Sequence, residues 1–443
     1  MIRISQLQLE WYQIVVLVLI GLFVFGFTYW LYPYIISWMK RKKYVGYDIH
    51  KQSRPETAES GGIAFSISIT FGLIMLGFII PTLWHEVFIF IITILIATVV
   101  GWIDDRKQLS SLRKIILMFV TGLPVFIANL PFLGFIKISN PILPILGRLQ
   151  LTIIYPLTIP IIIMVMTNTV NMLEGYNGEG SGTTSIALVF MILASFLLGS
   201  SQGLIYGYIC LAGIGAFYFF NKYPAKIFPG DTGTLVIGAS IALVGIFGSI
   251  ETIMILVMLP QIFNSFYVIA SVRGFKESHT IDKKDILLDS NDLIHASEES
   301  TAPLTLPRLL TASGPLSEKE LVNHIFGLST IAGIISLIVA LTMMPFFGPY
   351  DAFKILGVIS ISLLTFLLVI SLFPKILGLS VIMVVLVLIA LGFLWIIDQY
   401  IIDKPVNWLF GILIGGVILI LWYLITLIYF RHTLRQNKIK KQN

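Results

Sequence analysis

Residues 167–182 read TNTVNMLEGYNGEGSG, where an apolar run (Ile153 to Met166) gives way to three asparagines, two acids (Glu174 and Glu179) and four glycines. Hydrocarbon does not accept such a stretch. The runs on either side, Ile153 to Met166 and Ile186 to Leu198, are helix material for a bilayer, so the polar stretch must meet water at a membrane surface. Asn168, Asn171 and Glu174 stand at i, i+3 and i+6 and are expected to share one helical face where the helix leaves the membrane. Gly175, Gly178, Gly180 and Gly182 then let the backbone turn tightly around whatever those groups hold. Alone, the stretch also reads as a polar loop between two spans, and its partners elsewhere decide the matter.

The rest of the chain is of the same kind. With 443 residues, 57% hydrophobic and 12% charged, and a mean hydropathy of +0.94, it is too apolar for a soluble domain and reads as an all-α polytopic membrane protein. The net charge of +6 does not indicate nucleic acid, because the basic residues fall in short runs between apolar segments. One cysteine, Cys210, excludes intrachain disulfides and cysteine-based metal sites. The first apolar run, Trp11 to Trp38, exceeds a signal-peptide core and leads into Lys40, Arg41, Lys42 and Lys43, so a retained anchor is expected.

Windows long enough to cross about 30 Å of hydrocarbon number thirteen: 11–38, 61–80, 87–103, 112–130, 151–171, 183–199, 203–220, 232–249, 252–271, 325–345, 352–373, 376–397 and 407–430. With Lys40–Lys43 placed in the cytoplasm, all of the 29 basic residues except Arg3, Lys137, Arg148, Lys354 and Lys404 fall on that side. The expected organisation is a core over 1–345 with a cytoplasmic loop at 272–324, additional helices over 346–430 and a basic tail over 431–443. The polar loops rich in chemistry gather on the cytoplasmic side.

Asp104 and Asp105 adjoin at the end of the third span, followed by Arg106, Lys107, Arg113 and Lys114. Neighbouring acids near hydrocarbon call for a divalent cation or a lysine. Asp231, after Pro229 and Gly230, can cap the eighth span or ligate Mg²⁺, which takes oxygen ligands and shares them with phosphates. Asp104, Asp105, Asn171, Glu174 and Asp231, with Lys114, form a kit for phosphoryl transfer between a water-soluble and a lipid substrate. The competing reading is a nucleotide-sugar or ion transporter, which needs ionisable groups near the midplane, whereas these acids gather at one face.

In order along the chain, GYDIHKQSRPETAESGG, GWIDDRKQL with Lys114 ten residues after Asp104, TNTVNMLEGYNG and IFPGDTGT resemble the polyprenyl-phosphate N-acetylhexosamine-1-phosphate transferase family. The likeness is strongest to the eukaryotic and archaeal branch that moves N-acetylglucosamine 1-phosphate from UDP to dolichyl phosphate, and it covers roughly residues 11–345. The resemblance implies a core of about ten spans, with about three added at the C-terminus. It implies that Asn171 and Asp231 hold Mg²⁺, with Mn²⁺ an alternative, on the donor pyrophosphate. Asp104, Asp105 and Lys114 would be catalytic, and Glu59, Asn177, Phe228, Glu174 and Arg308 would bind substrate. The implied reaction joins UDP-N-acetylglucosamine, or another UDP-hexosamine, to a polyprenyl or dolichyl phosphate as the first membrane step of N-glycan-type lipid-linked assembly. The site would face the cytoplasm, in an archaeal plasma membrane or a eukaryotic endoplasmic reticulum, and a homodimer is left open. LTLPRLLTASG (304–314) matches the branch's IPRL stretch only in part, so Arg273, Lys276, Lys283 or Lys284 are alternative pyrophosphate contacts, while His279 and His295 are too isolated for the bacterial HIHH-like motif. Lys51 and Arg54 read as positive-inside residues without chemistry.

Overall fold

The computed structural model describes residues 11–107, 109–151, 153–274, 283–346, 352–400 and 408–442. Arg3, Lys276, His279 and Lys404 lie outside the described residues. The chain opens with α1 (Trp11–Arg41), the hairpin β1 (Val45–Tyr47) and β2 (Glu56–Ala58), α2 (Gly62–Ile79), α3 (Trp84–Lys107), α4 (Ser111–Thr121) and α5 (Leu123–Ala128). A small hairpin, β3 (Ile142–Leu143) and β4 (Gly147–Arg148), precedes α6 (Ile154–Leu173), α7 (Glu179–Leu198), α8 (Ser201–Asn221), α9 (Gly230–Phe247), α10 (Glu251–Val257) and α11 (Leu259–Val272). Next come β5 (Ile286–Leu288), β6 (Leu293–Ala296), α12 (Leu306–Thr311), β7 (Leu316–Ser317), α13 (Glu318–Met343), α14 (Ala352–Leu372), α15 (Leu377–Tyr400) and α16 (Trp408–Gln442).

Among the described residues, eleven helices are long and apolar enough to cross a membrane, and twelve when α10 and α11, bent by 67°, are joined. The chain is thus an all-α multi-pass membrane protein. The expected span at 112–130 is instead two short helices, α4 and α5. Proline accounts for both breaks: Pro124 and Pro260 open α5 and α11, and neither has an N–H to bond the preceding turn.

At the centre stands α9, on which every residue from Thr232 to Phe247 is buried. Close approach of backbone to backbone fixes it there. A Cβ on Gly101 of α3 would lie 2.4 Å from Thr232 Cα, and one on Gly62 of α2 would lie 2.4 Å from Gly233 N, so only glycine fits at either position. Small contact residues let lipid-embedded helices pack by dispersion, since burial from water is not available to drive them together.

Over one end of the bundle, β5, β6 and β7 form an antiparallel sheet and, with α12, a small cap. Leu304, Leu306, Leu309, Leu310 and Leu316 form its core together with Ile294. A capping box joins it rigidly to α13: Ser317 Oγ accepts from Glu320 N–H, and the Glu320 carboxylate accepts from Ser317 N–H. The expected basic tail is a continuation of α16, which runs on beside the cap: Asn437 Nδ2 donates to Ala312 O at 3.3 Å and Lys438 pairs with Glu298 at 2.7 Å.

Candidate active site

Five elements converge beneath the cap. The C-terminal ends of α3 and α6, the N-terminal ends of α4 and α9, and the loop after β2 bring together Asp104, Asp105, Asn171, Lys114, Asp231 and Glu59. Lys114 is the hub. Its Nζ lies 2.8 Å from Asp104 Oδ2 and 2.6 Å from Asp231 Oδ1. Asp104 is buried and also accepts from Leu109 N–H at 2.9 Å. Asn171 Nδ2 donates to Asp231 Oδ1 and, at 2.9 Å, to Thr234 Oγ1. Asp104, Asp231 and Asn171 thus offer oxygen ligands around a point where a lysine cation already sits, and turning the Asn171 amide over would present its oxygen. Such a donor set fits a hard divalent cation.

The adjacent aspartates do different work. Asp105 turns to the N-terminus of α9, where Oδ1 accepts from Asp231 N–H at 2.6 Å. Its Oδ2 accepts from Thr232 Oγ1 at 2.6 Å, Thr232 N–H at 3.3 Å and Ser60 Oγ at 2.6 Å. The carboxylate answers the unpaired amides and positive end of that helix and thereby sets where Asp231 stands. Expected to be catalytic, Asp105 is engaged through both oxygens by the N-terminus of α9 and Ser60. Arg106 lies between the Tyr44 ring (3.5 Å) and the Trp102 ring (4.1 Å) and donates to Ser60 Oγ at 3.2 Å.

Beside this lies a flank built by Phe228, Gly46 and Glu59. Phe228 N–H donates to Ala58 O at 2.8 Å and Gly61 N–H donates to Phe228 O at 2.9 Å, which fixes the half-buried ring beside the loop. A Cβ on Gly46 would lie 3.3 Å from that ring and 3.5 Å from Glu59 Oε1. Burial, then the nearby carboxylates of Asp105 and Asp231, push Glu59 up to about 7, against the pull of Arg106.

Two expected site residues point elsewhere. α6 ends at Leu173, so Glu174 leaves the face it was expected to share with Asn171; its Oε2 accepts from Gly180 N–H at 2.6 Å, closing the turn into α7. Burial pushes it up to about 8, which suits a group held within a turn rather than a metal ligand. Asn168 also leaves the cluster, donating to Met172 Sδ at 3.2 Å. Arg308, expected at the pyrophosphate, is 3% exposed and donates to carbonyls of its own loop: Ser297 O (3.0 and 2.8 Å), Ala302 O (2.7 Å), Pro303 O (3.1 Å) and Glu299 O (2.5 Å). These bonds tie Arg308 to the carbonyls of its own loop. Of the alternatives, Arg273 and Lys284 are exposed and Lys283 pairs with Glu299 at 3.3 Å.

Asn177 is brought in by residues that the sequence left without chemistry. Asp48, Lys51 and Glu318 surround it, with Asp48, His50 and Glu318 placing ligand atoms within 4.8 Å of one another. Lys51 fills that space as the counter-ion, paired with Asp48 and 3.9 Å from Glu318 Oε2, and its Nζ lies 4.6 Å from the Tyr223 ring centre. Lys51 is therefore more than an inside-facing charge. Burial pushes the His50 imidazole down to about 4, and the ring stacks on Tyr176 at 4.2 Å.

Residues 87–249 match the family model described as glycosyl transferase family 4. A Methanocaldococcus jannaschii protein, named provisionally as a glycosyltransferase, is 29% identical over 328 residues, 73% of this chain and 98% of its own length. A Saccharolobus solfataricus protein, named provisionally as a UDP-N-acetylglucosamine–dolichyl-phosphate N-acetylglucosaminephosphotransferase, is 29% identical over 345 residues, 74% of this chain and 98% of its own. A phospho-N-acetylmuramoyl-pentapeptide-transferase of Clostridium botulinum is 27% identical over 268 residues, 57% of this chain and 80% of its own.

Proposed function

We propose, from the match of residues 87–249 to glycosyl transferase family 4 and the likeness to the relatives above, that this chain is a glycosyl-1-phosphate transferase moving a hexosamine 1-phosphate to a polyprenyl phosphate, with UDP-N-acetylglucosamine as donor and a dolichyl-type phosphate as acceptor. The product is a lipid-pyrophosphoryl-N-acetylglucosamine, formed with release of UMP as the first membrane step of an N-glycan-type pathway. The observation that carries the reading is Lys114 held between Asp104 and Asp231, with Asn171 on the same oxygen of Asp231. Asp231 and Asn171 would hold Mg²⁺, or Mn²⁺ in its place. When bound, the ion neutralises the donor pyrophosphate.

The chain's own groups supply the rest. Lys114, freed from one carboxylate, holds the acceptor phosphate, and Asp104 takes any proton that phosphate carries. An acceptor oxygen then attacks the phosphorus that bears the sugar; the new P–O bond forms as the bridging P–O bond breaks, and UMP leaves with the electron pair. Phe228 stacks on the nucleobase and Asn177 lines its edge, with Glu59 at the flank. α4 carries Lys114 together with the exposed Leu112 and Ile116, so the lipid chain lies along α4. The basic residues at the site's end of the bundle support a cytoplasmic site.

The test uses purified protein, radiolabelled UDP-N-acetylglucosamine, dolichyl phosphate and Mg²⁺. Organic-soluble label with matching UMP, lost on chelation and in Asp104→Asn and Asp231→Ala, is the expected result. Protein that binds UDP-N-acetylglucosamine yet labels no lipid would overturn the donor and acceptor assignment.

A further inference from the structure

The last turn of α6 carries Asn171, Met172 and Leu173, and carbonyls at such an end have no amide ahead of them in the helix. Asn264, buried on α11 beyond the bend, meets one of them. Its Nδ2 donates to Met172 O at 3.0 Å, one residue from Asn171. Its Oδ1 accepts from Leu306 N–H at 2.9 Å, the first amide of α12 and one of the donors that a helix leaves unpaired where it opens. One side-chain amide thus joins the end of α6 to the start of α12, with its donor and its acceptor each facing the group it suits. Leucine in its place would leave both backbone groups short of a partner.

The helix that carries Asn264 is held from its other side by the C-terminal part of the chain, to which the proposed chemistry gives no task. Trp422 of α16 is buried against three rings of α11, with centroids 4.1 Å from Phe263, 4.7 Å from Phe266 and 5.3 Å from Tyr267, and it lies within 10° of parallel to Phe266. Thr426 Oγ1 donates to Trp422 O at 3.0 Å, so the Tyr267 hydroxyl donates to Thr426 Oγ1 at 3.1 Å. Farther along, α16 meets the cap. The Arg308 guanidinium lies 4.8 Å over the Phe430 ring, and Asn437 and Lys438 bond to Ala312 and Glu298. α16 therefore touches both of the bodies that the Asn264 amide joins, and aromatic contact supplies the attraction that burial from water cannot provide between helices in lipid.

Resting on the reading that Asn171 holds the divalent cation, we infer that Asn264 is a positioning residue for Asn171 and that α16 is the brace that keeps Asn264 in place. A metal ligand serves only when its support holds it within about 0.5 Å of its position. The last turn of a helix frays readily, and the bond to Met172 O pins that turn immediately beside the ligand. α16 lies outside residues 11–345, the stretch in which the family-like motifs fall, so the C-terminal helices belong to the support of the site.

The test is Mn²⁺ affinity, read by spin resonance on the full-length protein in detergent, for wild type, Asn171→Ala, Asn264→Leu and Trp422→Ala, with UMP release on the same samples. Asn264→Leu should weaken Mn²⁺ by about tenfold, the loss typical when the group behind a metal ligand is removed. Turnover lost at low Mn²⁺ should return when Mn²⁺ is raised in proportion, which a simple loss of folded protein does not allow. Trp422→Ala, which leaves the Asn264 amide intact and loosens α11, should weaken Mn²⁺ by about threefold. A dissociation constant does not depend on how much of a variant folds. Asn264→Leu with wild-type Mn²⁺ affinity, where Asn171→Ala weakens it, would overturn the positioning role and leave the metal assignment standing. Trp422→Ala with wild-type affinity would overturn the brace. Asn171→Ala with wild-type affinity would overturn the metal assignment and the inference with it.

Discussion

Asp104 and Asp105 are neighbours in sequence, yet replacing each by asparagine should produce opposite phenotypes. Asp105 accepts one hydrogen bond on Oδ1 and three on Oδ2, all from α9 or the loop before α2. In Asp105→Asn the side-chain oxygen would stay with the three donors, leaving NH₂ facing the Asp231 N–H. A charge-assisted bond is worth about 1.5–3 kcal/mol and the lost charge at a helix N-terminus about 0.3–1 kcal/mol, so the expected cost is about 2–4 kcal/mol. With an unfolding entropy of about 2.1 cal/mol/K per residue, a chain of 443 residues has about 0.9 kcal/mol/K. The melting temperature should thus fall by about 2–4 °C, with turnover reduced because Asp231 shifts. Asp104 accepts from Leu109 N–H and pairs with Lys114, and an asparagine oxygen keeps the former. Asp104→Asn keeps that bond and leaves Lys114 paired with Asp231, so it should melt above Asp105→Asn while turnover falls by about 100-fold or more. Thermal melting in detergent, with UMP release on the same samples, decides it. Equal melting of Asp105→Asn and wild type, or a lower melting point in Asp104→Asn than in Asp105→Asn, would refute the division of labour.

Glu59 is held up to about 7 in the fold against an ordinary 4.5, so its contribution to stability is full below 4.5 and is lost as pH rises through about 7. Glu59→Gln, which does not ionise, should match wild type in melting at pH 4.5 and exceed it above pH 7, by about 3 kcal/mol at most; parallel melting curves across that range would contradict the assignment. Lys114→Met removes the cation between Asp104 and Asp231, so Mn²⁺ measured by spin resonance without nucleotide should bind more tightly, by about tenfold, while turnover collapses; unchanged Mn²⁺ affinity would show that the lysine does not occupy the cation's place. Arg308→Ala should strand the carbonyls of residues 297–303 at a cost of about 3 kcal/mol and open the cap to limited proteolysis, with KM for the donor little changed in the folded fraction. A protease-resistant Arg308→Ala with a raised KM would restore the pyrophosphate role.

The helical class and the gathering of Asp104, Asn171 and Asp231 were legible because hydropathy and loop polarity are local signals. Asp105 and Arg308 were not, because their work depends on what lies opposite: Thr232 is 127 positions from Asp105, and nothing near Arg308 in sequence marks it as a hub for carbonyls. Glu174 misled for a different reason. The i, i+3, i+6 spacing assumes a helix that continues, and α6 stops one residue short of it. The trio of Asp48, Asn177 and Glu318 had a partial signal in GYDIHK, a D-x-H pattern in a loop already marked as polar, but Glu318 sits 141 residues beyond Asn177 and reads by itself as an ordinary first-turn acid.

The sheltering of α9 makes the bilayer an unequal influence on this site. Asp231 rides on a helix that touches no acyl chain from Thr232 onward, whereas α4, which carries Lys114, shows Leu112 and Ile116 outward at 69% and 52% exposure. One end of the central ion pair is shielded within the bundle and the other rides on a helix with an exposed apolar face. Bilayer thickness and stiffness are therefore expected to act as a tuning input, moving Lys114 against a fixed Asp231. Turnover in bilayers of graded thickness should pass through an optimum while nucleotide affinity stays level, and a flat turnover profile would mean that α4 is held as firmly as the helix it faces.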